Sequence, residues 1–209
     1  SSPASIGGVD LGANGNDIYV AGRYAYVAKN DGGNFGNDFL IIDISNPANL
    51  TVVGQADVNG LASQDVFINS TATRAYLVTN SSPNQREFFI VDISTKTGNR
   101  PTLGSYDTNG MNPKELVVVP GNRAIVVGTS GQEYQVIDLS NETMPVSCGG
   151  LDIGSGINGV SSVLETDGDA FSYIITGDAD SELKIIEGGP GGNFSTSGVG
   201  LIGLLLTFA

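Results

Sequence analysis

Phe39-Leu-Ile-Ile-Asp43-Ile-Ser45 is the stretch whose reading decides the fold, because its pattern returns three more times along the chain. The second copy is Phe88-Phe-Ile-Val-Asp92-Ile-Ser94 and the third is Tyr134-Gln-Val-Ile-Asp138-Leu-Ser140. The fourth, worn but legible, is Leu183-Lys-Ile-Ile-Glu187-Gly188. From acid to acid the steps are 49, 46 and 49 residues. Each copy is a short β-rich segment that ends on an acid, a strand that repeats.

Working outward, each copy is preceded by two further strand-like segments. They are Ile18–Val20 and Tyr24–Ala28, Val66–Ile68 and Arg74–Val78, Leu116–Val119 and Ala124–Val127, and finally Val163–Leu164 and Ser172–Thr176. Turns rich in Gly, Asn and Asp separate them, as in antiparallel meanders. A fourth segment follows the first three copies: Val52-Val-Gly54-Gln-Ala-Asp57-Val58, Leu103-Gly104-Ser-Tyr106-Asp107, and Cys148-Gly-Gly150-Leu-Asp152-Ile153. Residues 6–11, Ile-Gly-Gly-Val-Asp-Leu, match these segments but stand at the N-terminus with no blade before them.

A period of about 40 to 50 residues built from short strands is the sequence form of a propeller blade. The expectation is an all-β, four-bladed β-propeller of four-stranded antiparallel blades. Residues 6–11 are expected to complete the fourth blade beside 183–187, so that ring closure removes the open sheet edges. Residues 1–188 then form one propeller domain, and 189–209 a glycine-rich linker with an apolar C-terminal tail outside the blades.

Leu40-Ile-Ile-Asp43-Ile-Ser-Asn46-Pro47, with Tyr24-Ala-Tyr26-Val27-Ala28 upstream and Val53-Gly54 downstream, resembles the LVIVD repeat, a bacterial and archaeal β-propeller repeat. The resemblance covers about residues 6–187 in four copies. It implies propeller architecture and a surface or exported protein, and it implies no particular chemistry. The fourth copy departs from the pattern, with Glu187-Gly188 in place of Asp-Ile/Leu-Ser.

The chain has 209 residues, 9 Lys and Arg against 22 Asp and Glu, no histidine, and a net charge of -13. Phosphate backbones are held by clustered Lys and Arg, so a nucleic-acid partner is not expected. The one cysteine, Cys148, is read as a small strand residue. No nucleophile, base and orienter stand in a recognisable set, no Gly-Lys-Ser/Thr phosphate loop occurs, and Gly154-Ser155-Gly156 lacks the spacing of a nucleophile elbow. An enzyme, and a bound cofactor, are therefore not expected.

Two sets of acids recur with the repeat. Asp43, Asp92, Asp138 and Glu187 end the defining strand, and a residue present in every blade suits a task every blade has, such as accepting backbone N–H groups in the following turn. Asp17, Asp65 and Glu115, with Ser162 in the fourth unit, precede the innermost strands. They either converge at one mouth of the channel, where their oxygens suit Ca²⁺, or form a solvated acidic rim. Asp178-Ala-Asp180-Ser-Glu182 alternates acids like part of a calcium loop but is read as a solvated hairpin loop. Asn-x-Ser/Thr triplets at Asn49, Asn69, Asn80, Asn141 and Asn193 are candidate glycosylation sites and agree with an extracellular or cell-surface location.

The tail carries Val199, Leu201, Ile202, Leu204, Leu205, Leu206 and Phe208 behind the Gly188–Gly192 linker. It is too short to span a bilayer, which takes about 20 apolar residues. As a strand it is apolar on both faces and needs burial, on its own propeller, as the start of an anchor, or as a strand added to a neighbouring copy. The last of these makes the chain a subunit of a homo-oligomer or homopolymer, a surface filament or array. The alternative function is a monomeric binding module whose loops around residues 30–37, 80–87 and 178–182 hold a glycan, a peptide or a cation.

Overall fold

The structure, a computed structural model, describes residues 2–31, 37–164 and 170–187. Part of the 30–37 loop, the 166–169 turn, Asn193, the 189–209 linker and tail, and the self-association residues assigned to it lie outside the described residues. Among the described residues every regular element is a strand, and no helix is long and apolar enough to cross a membrane.

In the first sheet, β1 (Gly15–Ala21), β2 (Tyr24–Lys29), β3 (Phe39–Asp43) and β4 (Thr51–Ala56) run as an antiparallel meander. The second repeats it with β5 (Ser63–Ile68), β6 (Arg74–Thr79) and β7 (Phe88–Asp92). Next comes β8 (Gly98–Asn99), a two-residue strand that crosses over to pair parallel with β4, before β9 (Thr102–Tyr106) completes the second sheet. In the third are β10 (Asn112–Val119), β11 (Arg123–Thr129), β12 (Tyr134–Asp138) and β13 (Val146–Leu151). Among the described residues the fourth has three strands, β14 (Ile157–Leu164), β15 (Ala170–Thr176) and β16 (Leu183–Glu187).

The sheets stack in chain order through their first strands: β1 packs on β5, β5 on β10, and β10 on β14. Apolar residues alternate along each strand, so one set of side chains faces each neighbour. Tyr26, Phe39 and Ile41 meet Val66, Leu77 and Phe89 between the first two sheets. Phe88 and Ile90 meet Leu116, Val126 and Ile137 at the next junction, and Val127 and Val136 meet Val160, Ile174 and Ile186 at the third. Cys148 packs at the edge of this third cluster, as a small strand residue would.

Residues 6–11 do not pair with β16, whose ladder among the described residues runs to β15 alone. They lie instead against the outer face of the first sheet, where Val9 and Leu11 pack with Ala25, Val27, Leu40 and Ile42. This is the place an outer strand takes on the next sheet. Gly7 abuts the Pro47 carbonyl as Gly54 abuts that of Lys96 and Gly104 that of Glu142. A Cβ at Gly104 would overlap a backbone oxygen, which cannot swing aside as a side chain can. Gly104→Ala is expected to destabilise the fold by about 1–3 kcal/mol, measured by urea unfolding.

Candidate functional site

Each first strand opens with a bulge, at Gly15/Asp17, Ser63/Asp65, Pro113/Glu115 and Ile157/Gly159. A bulge turns a side chain out of the alternation of its strand. Here it aims three carboxylates at the adjacent sheet. Asp17 Oδ2 accepts the Val66 N–H at 3.2 Å, Asp65 Oδ2 the Leu116 N–H at 2.6 Å, and Glu115 Oε2 the Val160 N–H at 2.8 Å. The fourth position in this register is Gly159, not Ser162, and a Cβ on Gly159 would lie 2.9 Å from Glu115 Oε2. The longer Glu115 side chain thus uses the space that glycine leaves.

The row is an inter-sheet fastening, with one oxygen of each acid committed to a neighbouring amide. Among the described residues no three His, Cys, Asp or Glu side chains are grouped to hold a metal ion. Burial, then the Asp17 carboxyl beside it, pushes Asp65 up to about 8, with Glu115 adding to the rise. Burial likewise raises Glu115. A carboxyl whose folded pKa exceeds its unfolded value binds protons more tightly when folded, so stability falls as pH rises between the two values. Asp38, raised to about 7 chiefly by burial, acts in the same direction. Stability should therefore drop from pH 5 to pH 8. Asp65→Asn is expected to flatten that slope, as read from Tm against pH.

The second set of acids behaves as a turn device. Asp43, Asp92 and Asp138 accept the N–H of Ser45, Ser94 and Ser140 at 2.9, 2.8 and 2.7 Å. The serine hydroxyl and amide hold each carboxyl below the usual range. Arg23 adds an ion pair to Asp43 at 2.6 Å, and Arg74 one to Asp92 at 3.3 Å. Asp178 pairs with Lys184 at 2.7 Å and accepts the Asp180 N–H, so this part of the 178–182 loop is a hairpin fastening.

A third set was hidden in the sequence. Asp38, Glu87 and Glu133 immediately precede β3, β7 and β12, and all three are buried. Asp38 accepts the Val58 N–H at 3.2 Å. Glu87 Oε2 accepts both the N–H and the hydroxyl of Thr108, at 3.0 and 3.1 Å, and Glu133 Oε2 accepts the Ile153 N–H at 3.0 Å. Each ties its sheet's third strand to the end of its outer strand. Their spacing, 49 and 46 residues, was the available signal, and it places Glu182 as the fourth member. Glu182 is exposed, and its carboxylate has no hydrogen bond or ion pair among the described residues.

Of the candidate glycosylation sites, Asn49 and Asn141 are exposed and Asn80 is half-buried. The Asn69 amide is occupied: its oxygen accepts the N–H groups of Thr73 and Arg74 at 2.8 and 3.0 Å.

The family model of the LVIVD repeat matches residues 12–58, and LVIVD repeats form β-propeller folds. No curated protein matches the chain. Among solved structures, a chain of a mitotic checkpoint complex aligns with TM-score 0.56 at 12% identity, covering 78% of this chain and 45% of the other. The periplasmic gluconolactonase PpgL of Pseudomonas aeruginosa aligns with TM-score 0.56 at 11% identity over 78% of this chain and 53% of that one. A hydrazine synthase chain of Kuenenia stuttgartiensis gives 0.52 at 15%, over 79% and 51%. The chain spans about half the length of these structures. At such identities the likeness is one of fold, and the fold is that of a β-propeller.

Proposed function

We propose that the four sheets are four propeller blades and that the chain is a non-enzymatic, extracellular structural protein acting by self-association. The observation that carries this reading is that positions buried between inner sheets recur, still apolar, on the two uncovered ends of the stack. Val163, Tyr173, Ile175 and Leu183 are exposed on the fourth sheet, and Ile18 and Val20 on the first. Faces of this kind mark interaction sites. The recurrent acids support a structural role, since each engaged set serves backbone amides. The sequence of the C-terminal tail, apolar on both faces of a strand, supplies a second means of contact, through which filaments or arrays would grow.

Sedimentation equilibrium of the intact chain tests this. Mass should rise with concentration, with rods or arrays in negative stain at the upper end. A monomer at all concentrations would refute self-association and favour a surface module that binds a glycan, a peptide or a cation.

A further inference from the structure

Resting on that self-association reading, we propose that two copies join head to tail, the N-terminal segment of each serving as the missing outer strand of the other's fourth sheet. Two such junctions, related by a twofold axis, close the pair into one ring.

The junction exists in the chain as two separate halves. On the first sheet, Ile18 and Val20 are 60% and 56% exposed, whereas Val66 and Ile68, at the same register positions of the second sheet, are 3% and 1% exposed. On the fourth sheet, Ile175 and Leu183 are 54% and 62% exposed, whereas their counterparts Val78 and Phe88 are both at 0%. Among the described residues no further sheet packs on these faces of the first and fourth sheets. Each end shows the face the other requires.

The hydrogen-bonding groups at these ends match as well. Phe39 stands opposite Ala56, Phe88 opposite Tyr106 and Tyr134 opposite Leu151. The same register sets Leu183 opposite Val9 and Ile185 opposite Gly7. The N–H that follows in each outer strand, on Val58, Thr108 and Ile153, is taken by Asp38, Glu87 and Glu133. Leu11 is the corresponding donor in the N-terminal segment, and Glu182 is the corresponding acceptor, without a partner among the described residues. The Asp10 carboxylate already accepts the Gly12 N–H at 2.8 Å, the same turn that Asp107 makes with Asn109 and Asp152 with Gly154. The turn that ends an outer strand is therefore in place in the N-terminal segment before any third strand lies beside it.

A second copy is the occupant because the described residues of one chain do not join the two halves. Among the described residues the N-terminal segment is seated on the first sheet, β16 pairs with β15 alone, and β14 makes no packing contact with β1 comparable to those between successive sheets.

Disulfide trapping tests the junction in the full chain. Val9→Cys and Leu183→Cys variants are mixed and oxidised, and the bond is located by peptide mass. A covalent dimer joined between positions 9 and 183 is expected. The double variant should give the same covalent dimer on a denaturing gel. A bond formed only within single chains of the double variant, a ladder of higher multiples, or no bond between these positions would each overturn the proposal. If sedimentation shows association while positions 9 and 183 stay unlinked, self-association stands and this junction falls. A strictly monomeric chain removes both.

Glu182→Ala provides a check that leaves the folded chain alone. Loss of a hydrogen bond to a charged group should weaken the dimer about tenfold or more, since 1.4 kcal/mol is tenfold. The monomer's Tm should not move. An unchanged dimer constant would contradict the assigned register.

Discussion

Glu87→Ala is expected to lower the unfolding free energy by about 3 kcal/mol, because each buried donor left without an acceptor costs about 1–3 kcal/mol. The Glu87 carboxylate is buried at the start of β7, and one oxygen takes both the amide and the hydroxyl of Thr108. Removing it strands the Thr108 amide and takes away the acceptor of the Ser82 N–H, while the Thr108 hydroxyl keeps the Met111 carbonyl at 3.3 Å. Glu87→Gln can set its amide oxygen in the same place and should lose far less, keeping the Thr108 bonds and giving up only the 3.3 Å contact from the Ser82 N–H. Urea unfolding of the two variants separates the fastening role from a general need for bulk. Equal losses would show that the Thr108 bonds are not what matters.

Phe88→Ala is expected to cost more, about 3–5 kcal/mol, the range for emptying a large aromatic from a close-packed core. Phe88 is fully buried between the second and third sheets and stacks on Tyr76 with ring centroids 6.4 Å apart. Against a total that for a domain is about 5–15 kcal/mol, such a loss leaves little reserve. Leu183, its counterpart in the fourth sheet, lies exposed. Leu183→Ala should change monomer stability by less than about 0.5 kcal/mol, as surface substitutions do. Thermal and urea unfolding at low protein concentration measure both.

Much of this was legible in the sequence because the determinants are local and periodic. Phe39 to Asp43 and its copies are β3, β7, β12 and β16, and the Asp-x-Ser turns behave as their spacing implies. Less legible was the first strand of the fourth unit, expected at Val163–Leu164 and found to begin at Ile157. Its opening, Ile-Asn-Gly-Val-Ser-Ser, is too polar to announce a strand, and Gly159 occupies the position where an acid was sought. Asp38, Glu87 and Glu133 escaped notice because they vary between Asp and Glu and sit at loop ends, where acids ordinarily face water. Their burial follows from the outer strand folding back over them, a contact across 20 or 21 residues that no local pattern displays.

The N-terminal segment shows the same division. Its kinship to the outer strands was plain from Gly7, Val9 and Leu11, but kinship does not say which sheet edge it serves. Packing puts its apolar side chains on the first sheet and leaves its outer-strand hydrogen bonds to be met elsewhere.

Amide hydrogen exchange, followed residue by residue at low and high protein concentration, tests the account most directly. The N–H groups of Val58, Thr108 and Ile153, each held by a carboxylate, should be protected throughout. The Leu11 N–H should exchange freely in dilute solution and become protected as the chain associates. Free exchange at Val58, Thr108 and Ile153, or a Leu11 amide indifferent to concentration, would contradict it.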